Sequence, residues 1–140
     1  MAFIKERGER HAVFSDVVPV LTTLMKTSRL ALVTNGSPDL QRAKLTGSGL
    51  TPYFDVVIVS GEIGVGKPDA RPFALALDRL GVVDRARAIM VGDSHERDLV
   101  GARNAGIRGV WIDRNGTGVA ENSTAPEERI TDLTQLLPLL

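Results

Sequence analysis

The chain contains no cysteine. That excludes disulfides, thiolate zinc sites and cysteine nucleophiles, while leaving the redox compartment open. It has no excess of either charge, since 17 Lys and Arg balance 17 Asp and Glu. A balanced surface offers no electrostatic argument for nucleic acid or an anionic membrane as partner. No apolar run is long enough to span a bilayer, and residues 1–10 are too charged for a signal peptide. Repeats, heptads and low-complexity tracts are also lacking. What remains is 140 residues, enough for one domain with a real core and expected in the cytoplasm.

Apolar runs alternate with helical patterns along the chain. Asp16 can cap a helix in which Val17, Val20, Leu21, Leu24 and Met25 recur at helical spacing. A strand over 29–34 follows, and Ser37-Pro38 opens a helix running to about Leu45, ended by Gly47 and Gly49. The pattern then predicts a strand over 55–60, a helix over 72–80 stopped by Gly81, and a strand over 88–91. A helix over 96–105, a strand over 109–113 and a short terminal helix around Ile130, Leu133, Leu136 and Leu137 complete it. Residues 114–129 are polar and expected to be irregular. This alternation predicts an α/β fold with a doubly wound, mostly parallel sheet.

Three strand ends carry chemistry. Leu30 to Val33 lead into Thr34-Asn35-Gly36, a hydroxyl and an amide where ligands of parallel sheets bind. Gly66-Lys67-Pro68-Asp69 supplies a lysine in a glycine-rich loop. Val91-Gly92-Asp93-Ser94-His95-Glu96-Arg97-Asp98 ends a strand in a carboxylate and continues into a helix. A strand-end aspartate is a natural hard-oxygen ligand for magnesium. The run from Gly61 to Lys67 also fits part of a nucleotide-binding P-loop. The next residue is Pro68, which has neither the hydroxyl for magnesium nor an amide for the phosphate, so that reading fails on chemistry.

In this order and spacing the three segments resemble the haloacid dehalogenase-like superfamily of hydrolases, over about residues 11–115. Thr34-Asn35 matches the family's second motif, Lys67 its third, and Asp93 with Asp98 its fourth. The resemblance implies a Rossmann-like core. Thr34, Asn35, Gly36 and Lys67 would line a substrate phosphate, with Asn35 orienting Lys67 or substrate. Asp93 would bind Mg2+, and Asp98 would accept hydrogen bonds from a metal-bound water or from Lys67. The pairing of Asp93 with Asp98 favours phosphatases over metal-independent dehalogenases.

The family's first motif, an Asp-x-Asp carrying the nucleophile and the general acid/base, does not occur in these residues. The resemblance therefore implies a partial core over 11–140, lacking its central first strand and cap domain, with residues 1–10 a remnant of cap or linker. Without that strand the sheet would fall into two pairs with open inner edges, inviting closure, a borrowed strand or self-association. Two functions follow as expectations. One is a magnesium-dependent phosphohydrolase of small phosphorylated metabolites, working through an aspartyl-phosphate, whose activity this chain lacks alone and whose Mg2+ it binds weakly. The other is a non-catalytic phosphate-binding or protein-interaction domain derived from the same fold.

Overall fold

The computed structural model describes residues 2–5, 14–115 and 128–140. A six-stranded sheet forms the middle layer. Its strands are β1 (Ala2–Lys5), β2 (Arg29–Thr34), β3 (Val56–Val59), β4 (Ala88–Gly92), β5 (Arg108–Ile112) and β6 (Glu128–Ile130). They lie in the order β3-β2-β1-β4-β5-β6, with every pairing parallel. The chain moves outward from β1 through β2 to β3, then crosses back to place β4 on the other side of β1. Such a reversal opens a crevice at the carboxyl ends of the strands.

Alternation within the strands divides the core. Leu30, Leu32, Ile89 and Val91 face one layer, with Val110 and Ile112, and pack on Val17, Val20, Leu21 and Leu24 of α1 (Val17–Leu24). The terminal 3-10 segment Leu133–Leu139 covers the same face through Leu133 and Leu136. Ala31, Val33, Ala88 and Met90 face the other layer. There they meet Phe73, Ala76, Leu77 and Leu80, the buried stripe of a helix over Ala70–Leu80. Strands buried on both faces read as continuous apolar runs, which is why β2 and β4 stand out in the sequence.

The remaining helices are α2 (Pro38–Ser48) and the single turn α3 (Ser60–Ile63) before the Ala70–Leu80 helix, which is α4, and α5 (Gly101–Asn104) after it. Ser37 Oγ accepts from Leu40 N at the start of α2, as its position predicts, but the helix runs through Gly47 and stops at left-handed Gly49. The helix expected over 96–105 is instead a π-helical turn, His95–Val100, that tightens into α5. The strand β6 takes Glu128 and Arg129 from the polar stretch expected to be irregular, of which 116–127 lies outside the described residues, and Ile130 from the expected terminal helix.

The expected gap at the centre of the sheet is occupied. Ala2–Lys5 pairs with β2 on one side, Ala2 opposite Arg29 and Lys5 opposite Leu32. On the other side it pairs with β4, Ala2 opposite Ala88 and Lys5 opposite Val91. Residues 2–5, expected as a remnant of cap or linker, form a strand of the sheet, whereas 6–10 lie outside the described residues. The physical reason is the cost of the alternative. Two open inner edges would bury unpaired amides and carbonyls at roughly 1–3 kcal/mol each, and any short extended segment relieves it. The inner edges expected to drive self-association are therefore paired.

Candidate functional site at the carboxyl ends of the strands

Thr34 closes β2 and is almost fully buried. The next residue, Asn35, clamps the Lys67 loop by a reciprocal pair of hydrogen bonds. Lys67 N donates to Asn35 Oδ1 at 2.9 Å, and Asn35 Nδ2 donates to Lys67 O at 3.0 Å. The approach depends on Gly66, where a Cβ would lie 2.9 Å from Asn35 Oδ1. Both bonds run from the Asn35 side chain to the Lys67 backbone, so they fix the path of the loop at that residue.

The clamp delivers Lys67 Nζ to Asp98. The ammonium donates to Asp98 Oδ1 at 2.7 Å and to Val33 O at 2.9 Å, and both side chains are 0% exposed. Ser94 N donates to Asp98 Oδ2 at 3.0 Å, so the carboxylate is bonded through both oxygens. A buried ion pair persists only when its remaining hydrogen-bonding groups are also satisfied. The π-helical turn helps to do this, since Ser94 Oγ accepts from Arg97 N at its start while Asp98 is directed inward. Gly92 completes the fit, because any Cβ there would collide with the Asp98 side chain.

The structure brings Thr34, Asn35, Lys67 and Asp98 together. It does not leave their donors idle. Lys67 is sealed from solvent, Gly36 N donates to Ser60 Oγ at 2.9 Å, and Thr34 Oγ1 donates to Gln41 Oε1 at 3.1 Å. Asp93, the first residue beyond β4, is exposed, and its carbonyl accepts from Trp111 Nε1 at 3.1 Å. His95 meets the same indole edge-on, with ring centroids 5.5 Å apart.

Gln41, Ser60 and Trp111 escaped the sequence reading. Gln41 is in the first turn of α2, seven residues beyond Thr34, where a short strand-to-helix loop returns the chain over the strand end. Only that loop length pointed to it. Trp111 is buried in β5, and nothing in its sequence neighbours signals the bond to the Asp93 carbonyl.

The Mg2+ implied by the resemblance would contact Asp93. Among the described residues no three His, Cys, Asp or Glu side chains gather at one point. Asp98 is already held by Lys67 and the Ser94 amide. A single carboxylate does not make a resident magnesium site, and the described residues do not fit one by themselves. A cavity of about 650 Å³ lies at the opposite end of the sheet, lined by residues including Arg29, Leu80, Asp84 and Arg87.

Comparison with known proteins agrees with this fold. The chain is 43% identical over 136 residues to a phosphoserine phosphatase of Thermus thermophilus, covering 96% of this chain and 53% of that protein. The crystal structure of a HAD phosphatase from Thermococcus onnurineus superposes with a TM-score of 0.81 at 38% identity, over 91% of this chain and 57% of that one. A 2-haloacid dehalogenase from Pseudomonas syringae gives 0.80 at 35% identity, over 91% and 53%. The chain spans about half the length of these relatives. No described helix is long and apolar enough to cross a membrane. Residues 2–106 match the family of haloacid dehalogenase-like hydrolases, and the chain belongs to that family.

Proposed function

We propose that this chain is the phosphate-holding part of a phosphohydrolase that acts on small phosphorylated metabolites in the cytoplasm. The observation that carries the reading is the strand-end assembly of Thr34, the Asn35 clamp on Lys67, and the Lys67–Asp98 pair. Catalysis of phosphoryl transfer rests mainly on positioning and on donors that stabilise charge on the transferred oxygens. Exposed Asp93 supports a phosphatase over a dehalogenase, although relatives of both kinds share the fold. Mg2+ at this lone carboxylate is expected to bind weakly.

Two features limit what the chain does alone. Asp98 already offsets the charge of Lys67, so attraction for an anion is modest and requires the sealed lysine to become accessible. No Asp-x-Asp stands in the sequence to supply a nucleophile and a general acid. The chain is therefore expected to bind phosphate without turning over its esters. If the fold serves only for binding, as in the alternative reading, the same behaviour is expected and a longer form would not become active.

Calorimetric titration with inorganic phosphate tests the site. The expected result is a dissociation constant on the order of 1 mM or weaker, raised several-fold in Thr34→Val. Identical binding isotherms for the two proteins would refute the assignment of Thr34 as a phosphate donor.

A further inference from the structure

The resting hydrogen bonds at the strand end pose a problem for any oxyanion. Thr34 has one hydroxyl proton, and it is donated to Gln41 Oε1. In that state Thr34 presents only lone pairs to the anion's deprotonated oxygens, which also carry only lone pairs. The other partners offer no easy exchange. Gly36 uses its N–H on Ser60 and its carbonyl on Gly61 N at 3.0 Å, and Asn35 spends both ends of its amide on Lys67. Gln41 differs, because the same side chain carries an acceptor and a two-proton donor on adjacent atoms.

Resting on the phosphate-site reading, we propose that Gln41 is a positioning residue whose side-chain amide turns over when an oxyanion arrives. Before binding, Oε1 accepts the Thr34 proton. After binding, Nε2 donates to Thr34 Oγ1, and the freed hydroxyl proton points to the anion. Thr34 keeps its partner in both states, so no buried hydroxyl is left unsatisfied during the change.

The surroundings leave room for this turn. Gln41 Nε2 sits 2.6 Å from where a Cβ of Gly36 would stand, and Gln41 Cγ is 2.9 Å from that point. The amide therefore lies on bare backbone at Gly36, whose φ of 142° also favours glycine. Once turned, the oxygen meets a Cα hydrogen instead of a side chain, a tolerable neighbour for an acceptor. Arg42, next in the helix, is fixed by two hydrogen bonds to Glu62 at 3.0 and 2.8 Å, so rotation of the side chain is easier than movement of α2.

Nuclear magnetic resonance on the full chain reads the switch directly, with inorganic phosphate as probe. The Gln41 side-chain NH2 signals should shift on titration, with the same midpoint as the backbone amides of Asn35 and Lys67. Gln41→Glu, which can accept but not donate, should weaken phosphate about tenfold. A carboxylate also repels the anion, so the same substitution is made in Thr34→Val; there the cost should shrink to less than about threefold. An unmoved Gln41 signal beside saturating backbone shifts would overturn the switch alone. So would an equal cost of Gln41→Glu with and without the Thr34 hydroxyl. Wild-type protein showing no shift anywhere would overturn both the switch and the phosphate site.

Discussion

Lys67 and Asp98 are the residues most exposed to single-atom changes, because neither has water as a substitute partner. Asp98→Asn keeps the shape and removes the charge, leaving a buried ammonium without its counterion. The expected loss is about 3–5 kcal/mol, read as a lower urea midpoint. Replacing both partners with apolar residues, Lys67→Met with Asp98→Leu, should recover most of it. A double variant as unstable as the single one would show that the pair does more than neutralise itself. These residues were legible because their spacing along the chain is distinctive. Their burial was not, since exposure depends on what the opposite elements place over them. The same limit hid Gln41, an ordinary helix residue until α2 folds back over Thr34.

At the scale of elements, Asp16 changed its meaning most. Its place before an amphipathic run suggested a helix cap, yet its backbone is already helical, with φ −82° and ψ −15°, and its carboxylate accepts from no amide of α1. It accepts instead from Arg114 Nη1 and Nη2 at 2.9 and 3.1 Å and from Leu133 N at 2.7 Å. One carboxylate thereby ties the start of α1 to the end of β5 and to the terminal 3-10 segment. Arg114 also stacks 3.8 Å from the centre of the Phe14 ring. Such a long-range clasp leaves no local pattern, whereas the α4 stripe and its Gly81 stop did. Burial alone would raise the Asp16 carboxyl, but its hydrogen bonds from Arg114 and the Leu133 amide outweigh this and hold it below its ordinary value. A carboxylate lowered by folding contributes stability above its unfolded value of about 3.9, and that contribution is lost as pH falls through the lower folded value. Asp16→Asn should therefore reduce stability by about 1–3 kcal/mol at neutral pH. The deficit should narrow below about pH 4. Denaturation midpoints across that range decide it, and a deficit independent of pH would assign the effect to packing. Ser37→Ala is a smaller test of the same kind, expected to cost about 1 kcal/mol through its cap on α2.

The whole molecule turns on β1. The alternation of strands and helices announced a doubly wound sheet, and the apolar runs at 29–34 and 88–91 located its two middle strands closely. The sequence did not announce that Ala2–Lys5 would lie between them, because four residues carry too little periodicity to read as a strand. If this strand completes the sheet, its amides should exchange with solvent as slowly as those of β2 and β4, through global unfolding only. Ile4→Pro should then abolish cooperative folding or drive aggregation through the reopened edges. Rapid exchange over residues 2–5 with slow exchange elsewhere would instead show a sheet that stands without it.

On the function proposed for the chain, these residues hold phosphate but contain no nucleophile to cleave its esters. That function is tested most directly by magnesium-dependent hydrolysis of p-nitrophenyl phosphate by the folded chain, beside Asp93→Asn. Neither protein is expected to show turnover above background. Turnover by the wild-type chain that disappears in Asp93→Asn would contradict the proposal, and would mean that a nucleophile resides among these residues or in an assembly of them.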